Sequence, residues 1–201
     1  MITAIVHGIV LAFGLILPLG PQNTFVITQG ASQPSLLRAL PAVAAAGLCD
    51  TLLIGVAVFG VSVAVLEMPW LRLALVAGGV AFLAVVGALL WRDGGGADDG
   101  KGATGAFSAR RQMAFAVSVS LFNPHAILDT VGVIGPSALA YGGAERVAFA
   151  VACVGVSWFY FLGLALLGRM ASGIRGVRRW LNRGSAVIMW GTALYLASTL
   201  V

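Results

Sequence analysis

Residues 17–25 read L-P-L-G-P-Q-N-T-F and interrupt a long apolar run, and this stretch decides the fold. Pro18, Gly20 and Pro21 place three helix-breaking residues within four positions. A proline inside a helix removes one backbone hydrogen bond and clashes with the preceding turn. The stretch therefore predicts a helix that is broken inside an apolar segment.

A second interruption of the same kind lies in the other half of the chain. Residues 121–129 read L-F-N-P-H-A-I-L-D, where Asn123 and Pro124 break another apolar run. Pro21 and Pro124 are 103 residues apart. Several glycines recur at similar offsets: Gly47 and Gly155, Gly55 and Gly163, Gly87 and Gly191. A nearly constant offset indicates an internal repeat.

The composition indicates an integral membrane protein. Apolar residues make up 60% of the 201 residues and charged residues only 9%, whereas a soluble domain carries about 25% charged residues. Within a bilayer, a helix break is tolerated only where it is buried in protein or lines a wet cavity. The net charge of +5 comes from basic residues spread over short loops, which does not favour nucleic-acid binding.

A helix needs about 20 apolar residues to cross a bilayer. The sequence offers six such spans: 3–29, 36–64, 70–91, 112–140, 146–168 and 184–201. The glycine- and aspartate-rich segment 92–111 is predicted to be a flexible cytoplasmic linker between a first three-helix repeat, 1–91, and a second, 112–201.

Three spans per half place the second half upside down relative to the first. The predicted fold is therefore an all-α integral membrane protein of six transmembrane helices, arranged as two inverted three-helix repeats with helices 1 and 4 broken. Two interrupted helices in corresponding halves are a sequence indication of a transporter's binding site.

The distribution of lysine and arginine predicts the orientation. Ten of the twelve basic residues lie in the connections after spans one, three and five: Arg38, Arg92, Lys101, Arg110, Arg111, Arg169, Arg175, Arg178, Arg179 and Arg183. By the positive-inside rule these connections face the cytoplasm and both termini lie outside. The basic segment 169–183 is predicted either to lie along the inner membrane surface or to form a solvated loop.

Acidic residues inside the predicted membrane segments are candidate functional residues. Asp50 lies fourteen residues after Leu36, about 21 Å along the second span. A carboxylate at that depth costs about 2.5–3.5 kcal/mol, so it is a functional hypothesis by default. Asp129 follows His125 by four residues, so the two would share one face of an unbroken helical turn. Asp129 either belongs to the site or caps the broken helix, and His125 either relays protons or satisfies carbonyl groups that the kink frees.

Gln22 and Asn23 follow the first break. Exposed backbone amides at the start of a half-helix attract a carboxylate, and side-chain amides beside them would orient it. The alternative is that both side chains only replace hydrogen bonds that Pro21 removes. Two buried acids without a buried Lys or Arg make the site negative, which favours a cationic solute.

These residues resemble a known family. G-P-Q-N at 20–23, Phe25, Gln29-Gly30, Asp50, Pro69-Trp70 and N-P-H-A-I-L-D-T at 123–130 are similar to the lysine and arginine exporter family, the LysE group. The resemblance runs over essentially the whole chain. It implies outward transport of amino acids across the bacterial inner membrane, driven by the membrane potential or the proton gradient. The G-P-Q-N and N-P-x-x-x-x-D pattern is associated with basic amino acids, and lysine and arginine both stay open.

The site predicted from these observations lies near the midplane between the two breaks. Its substrate-binding residues are Pro21, Gln22, Asn23, Asp50, Asn123, Pro124 and Asp129, with Asp50 and His125 as proton relay. No cofactor and no bound metal are expected, and no hydrolase motif indicates an enzyme. The expected partners are an amino acid and membrane lipid, with a homodimer left open. Neutral amino acids or a divalent metal cation are the alternative cargoes.

Overall fold

Helices make up nearly all of the chain that the computed structural model describes, namely residues 1–60, 69–93, 107–121, 123, 126–127, 130–174 and 176–198. No strand occurs among these residues. The helices are α1 (Ile2–Ile16), α2 (Pro21–Ser32), α3 (Leu36–Val58), α4 (Pro69–Asp93), α5 (Ala109–Leu121), the short α6 (Gly135–Ala138), α7 (Gly143–Ala171) and α8 (Val177–Ser198).

The first predicted break is confirmed. The chain bends by 80° between α1 and α2, so the predicted span 3–29 is a bent pair of helices. Neither Pro18 nor Pro21 has an N–H to continue the hydrogen-bond ladder of α1. Gly20 is the N-cap of α2 in extended conformation, and Pro21 is at the first helical position, where a missing N–H costs nothing.

At the second predicted break, the structure describes the end of the preceding helix and the first residue of the break, Asn123. Helix α5 ends at Leu121 and Asn123 is not helical. Further along, a π-helical turn at Thr130–Ile134 leads into α6. Pro124, His125 and Asp129 lie outside the described residues, so the predictions made for them stay predictions.

The number of membrane spans is established only in part. Within the described ranges, α3 and α7 are long and apolar enough to cross a bilayer, and the bent pair α1–α2 adds a third candidate. Helices α4 and α8 match the predicted third and sixth spans in position. The apolar part of α4, Val76–Arg92, is shorter than the other candidate spans. The arrangement of six spans stays a prediction.

The basic segment 169–183 does not form a surface helix of its own. Helix α7 continues to Ala171 and α8 already begins at Val177. Gly176 has a φ of +79°, a left-handed conformation that glycine adopts readily, and it allows the tight connection between the two helices. Arg179 and Arg183 therefore belong to the first turns of α8.

Helix α2 lies at the centre of the packing. Eleven of its twelve residues are buried, and it contacts α3, α5, α7 and α8. Helices α3 and α7 also pack on each other, as do α4 and α8. Large apolar side chains point outward on several helices, among them Leu52, Leu89, Phe159, Leu166 and Leu194. A polar helix enclosed by helices with apolar outer faces is the arrangement that lipid favours over water.

Candidate functional site

A cavity of about 200 Å³ lies where α1 bends into α2. Its walls come from α1, α2, α3, α7 and α8, together with Asn123 and the π-helical turn. Five predicted site residues line it: Pro21, Gln22, Asn23, Asp50 and Asn123. The fold thus brings the first break, the acid of α3 and the start of the second break to one place.

Asp50 gives the cavity its charge. Its side chain is half-buried in α3, and Gln22 Nε2 donates a hydrogen bond to Asp50 Oδ1 at 3.1 Å. Among the described residues that line the cavity, Asp50 carries the only formal charge. The described lining is therefore negative and suits a cationic group, while the second predicted acid, Asp129, lies outside the described residues.

The N-terminus of α2 gives the cavity its hydrogen-bond donors. The N-cap, Gly20, offers no side-chain acceptor to the first turn, and the first intrahelical bond is donated by Thr24 N to Gly20 O at 3.0 Å. The backbone N–H groups of Gln22 and Asn23 precede that bond and belong to the orphan donors of a helix start. With the helix dipole they form a positive end that attracts an anion such as a carboxylate.

The side chains of Gln22 and Asn23 have different partners. Asn23 Nδ2 donates to Ile16 O and to Pro18 O, each at 2.9 Å. It thus pairs Ile16 O, which the break leaves without a helical partner, and adds a second donor to Pro18 O, which also accepts from Gly20 N. Gln22 instead contacts Asp50. Of the two roles considered for this pair, Asn23 repairs the break and Gln22 belongs to the polar site.

Asn123 contributes an acceptor that has no partner among the described residues. The residue is buried, lines the cavity, and its Oδ1 has no hydrogen-bond partner. Buried polar atoms are paired in the great majority of cases, so an unpaired one at a cavity needs an explanation. Because the terminal torsion of asparagine is broad, this amide can turn towards a donor that enters the cavity.

Three hydroxyl residues of the cavity were not predicted: Thr130, Ser157 and Thr192. Thr130 and Thr192 donate to carbonyl groups of their own helices, at 2.7 and 2.9 Å. Ser157 has no such bond and lies on α7 beside Trp158, the residue 108 positions after Asp50. The offset of 108 residues between the two halves, applied to Asp50, therefore points to Trp158, the residue next to Ser157.

His7 lies away from the cavity. Its Nδ1 pairs with the hydroxyl of Tyr141 at 2.8 Å, next to the start of α7. No group of three or more His, Cys, Asp or Glu that could hold a metal ion occurs in the described part of the chain, which does not include His125 and Asp129. Cys49 and Cys153 are buried and free.

Comparison with known proteins gives consistent matches. A family model described as LysE type translocator matches residues 13–200. YisU of Bacillus subtilis (strain 168), whose name assigns it to amino-acid transport, is 50% identical over 98% of this chain and 90% of its own. Arginine exporter proteins ArgO from Enterobacter sp. (strain 638) and Salmonella paratyphi C (strain RKS4594) are each 34% identical, over 98% of this chain and 94% of theirs. No solved structure matches.

Proposed function

Because this chain belongs to the LysE type translocator family, a family of integral membrane transporters, we propose that it exports a basic amino acid, arginine or lysine, across the bacterial inner membrane. The observation that carries the proposal is Asp50 in a cavity closed on one side by the N-terminus of α2. The arginine exporters at 34% identity support arginine as the first substrate to test.

The charges that line the cavity fit the two charged ends of such a substrate. The amides of Gln22 and Asn23 would bind the α-carboxylate, since a helix N-terminus favours negative charge. Asp50 would bind a cationic group, and the unpaired oxygen of Asn123 would accept a second hydrogen bond from it. Guanidinium and ammonium groups carry several N–H donors and no acceptor, so two acceptors suit either of them.

Export against a gradient needs coupling to a second process. In the proposed cycle, substrate and protons compete for Asp50 in alternate states of the carrier. The membrane potential, negative inside, opposes the outward movement of a cation, so the inward movement of protons on the empty carrier offsets the exported charge. His125 and Asp129 are proposed to serve the second half of the site. They follow Asn123 in sequence, which puts them near the second break.

Pairings between helices support the two inverted repeats that this cycle requires. The middle helices of the two halves, α3 and α7, pack on each other. Helices α1 and α2 of the first half pack on α7, and α5 of the second half packs on α3. The last helices, α4 and α8, form a pair. Each of these contacts has a counterpart under exchange of the halves, as expected for a pseudo-two-fold axis, whereas the contact of α2 with α8 has no counterpart of similar extent among the described helices.

The decisive experiment measures efflux from cells loaded with arginine- or lysine-containing dipeptides. We expect Asp50→Asn to reduce efflux of the basic amino acid at least tenfold, an effect of about 1.4 kcal/mol or more, because the cationic group loses its charged partner. Glu145→Gln is the matched control, since Glu145 pairs with the N-terminal amine far along α7 from the cavity. Immunoblots confirm equal amounts of protein in the membrane.

The same cells separate the alternative cargoes. Loading with alanine-only dipeptides tests neutral amino acids, and growth at raised divalent metal concentration tests metal export. Wild-type efflux from Asp50→Asn cells would remove this residue from the mechanism. Efflux of neutral amino acids alone, or protection against metal alone, would overturn the proposed substrate.

A further inference from the structure

Ser157 differs from three other serines in the helices. Ser118, Ser120 and Ser185 each donate their hydroxyl to the carbonyl four residues earlier, at 2.8, 2.8 and 2.6 Å. This local bond is the usual way for a serine to satisfy itself within a helix. Ser157 makes no such bond among the described contacts, although its side chain is buried. Its hydroxyl is therefore free to serve a group outside its own helix.

That group is the carboxylate of Asp50. Ser157 and Asp50 line the same cavity, in which Gln22 Nε2 already donates to Asp50 Oδ1, so the Ser157 hydroxyl can serve as a second side-chain donor to this carboxylate. The two donors come from different halves of the chain: Gln22 starts α2, and Ser157 lies in the middle of α7. Asp50 is thus held between the halves that a carrier must move against each other.

The neighbouring residue fixes the register of α3 against α7. The indole of Trp158 lies against Gly47, where a Cβ would come within 2.7 Å of the ring. Its Nε1 donates to Thr51 Oγ1 at 3.1 Å. Gly47 and Thr51 are one turn apart on α3 and flank Asp50, so this contact places Ser157 at the level of the acid.

We propose that Ser157 is a positioning residue for Asp50, and that the fit of Trp158 over Gly47 keeps it in place. The hydroxyl orients the carboxylate towards the cavity and keeps its bond when a cationic group arrives, because a carboxylate has about four acceptor positions. The proposal rests on the function proposed above for the role of the cation, but the contact between the two helices does not depend on the substrate.

Transport kinetics test this role. In Ser157→Ala, the KM for efflux of the basic amino acid is expected to rise about tenfold, the effect of losing one hydrogen bond to a charged group. The maximal rate changes by less than about twofold, because the helices keep their packing. Ser157→Thr keeps a hydroxyl and restores the KM to within about threefold. Ser118→Ala, an exposed serine on α5, is the matched control.

A second measurement is independent of transport. Dicyclohexylcarbodiimide reacts with carboxyl groups inside membranes, and mass spectrometry of the purified protein gives the rate at which Asp50 is labelled. Without the Ser157 hydroxyl one side of the carboxyl group is uncovered, so we expect Ser157→Ala to be labelled about threefold or more faster and Ser157→Thr at the wild-type rate.

The two measurements separate the two proposals. If the wild type exports no basic amino acid but the labelling rate depends on the hydroxyl, the proposed substrate is wrong and the positioning role stands. If the wild type exports arginine or lysine while Ser157→Ala keeps both the wild-type KM and the wild-type labelling rate, the positioning role is wrong. A KM that rises equally in the alanine and threonine variants would also overturn it.

Discussion

Asn23 supports the break between α1 and α2. Its amide donates to two carbonyl groups, Ile16 O and Pro18 O, on the segment where the prolines end the hydrogen-bond ladder. Pro18 O also accepts a hydrogen bond from Gly20 N at 2.8 Å, so the bond to Ile16 O matters most, and leaving that half-buried carbonyl group unpaired would cost about 1–3 kcal/mol. One side chain therefore offsets much of what the interruption costs, and it leaves the adjacent backbone amides for a ligand.

Replacing this amide should destabilise the protein. We expect Asn23→Leu to lower the free energy of unfolding by about 1–3 kcal/mol, because similar volume is kept and both hydrogen bonds are lost. Denaturant unfolding of the purified protein in detergent micelles measures the change. Ser118→Ala, on an exposed face of α5, should stay within about 0.5 kcal/mol of the wild type. Equal stability of Asn23→Leu and the wild type would contradict the role of Asn23 at the break.

At the scale of the element, α2 and α7 approach each other backbone to backbone. A Cβ on Gly30 would lie 2.1 Å from Ala165 O, and a Cβ on Gly168 would lie 2.1 Å from Ile27 O. Small residues allow such close approach of helices in membranes. The two glycines allow the C-terminal part of α2, away from the cavity, to pack directly against α7, a helix of the other half.

This close contact between α2 and α7, the α2–α7 seam, predicts which glycines tolerate a methyl group. Gly30→Ala is expected to destabilise the protein by about 1–3 kcal/mol or to prevent its accumulation, because the new methyl group meets rigid backbone. Gly155→Ala, on the same α7 but with nothing within 4 Å of the new Cβ, is expected to stay within about 1 kcal/mol of the wild type. Yield and unfolding midpoint in detergent measure both variants. Similar behaviour of the two variants would show that the seam is looser than described.

At the scale of the whole molecule, the two ends of the helix bundle differ in charge and in bonding. At one end, which we call the arginine-rich end, Gln112 Nε2 donates to Arg38 O at 2.8 Å and Arg169 Nη1 donates to Gln33 O at 3.2 Å. These bonds bring the start of α3, the start of α5 and the end of α7 together. At the opposite end the N-terminal amine pairs with Glu145. The grouping of the described arginines supports the proposed orientation, with the arginine-rich end in the cytoplasm.

Labelling from one side of the membrane tests that orientation. Gly142 and Gly173 are exposed residues at the two ends of α7. In a background without Cys49 and Cys153, we expect a membrane-impermeant maleimide to label Gly142→Cys in intact spheroplasts. Gly173→Cys should be labelled only after lysis. The reverse pattern would place both termini in the cytoplasm and invert the proposed direction of the site.

The helix breaks were predictable because their cause is local. Pro18, Gly20 and Pro21 act through backbone geometry that no tertiary contact can restore, and the bend appears where they stand. The segment 169–183 shows the opposite case. Its arginines have a helical period that suits either a surface helix or the start of a span, and only the turn at Gly176 places Arg179 and Arg183 at the start of α8.

By itself the sequence determined an all-helical membrane chain, a first helix broken at Gly20–Pro21, and an acid in the second apolar segment, because composition, proline geometry and the cost of charge in lipid act on each residue where it stands. Only the tertiary structure decided that Asn23 repairs the break, that Gln22 contacts Asp50, and that Ser157 reaches the same cavity. Those contacts join residues 28 or more positions apart or depend on the angle of the bend. The packing of the helices determines which groups these side chains contact, and a pattern along the chain does not specify that packing.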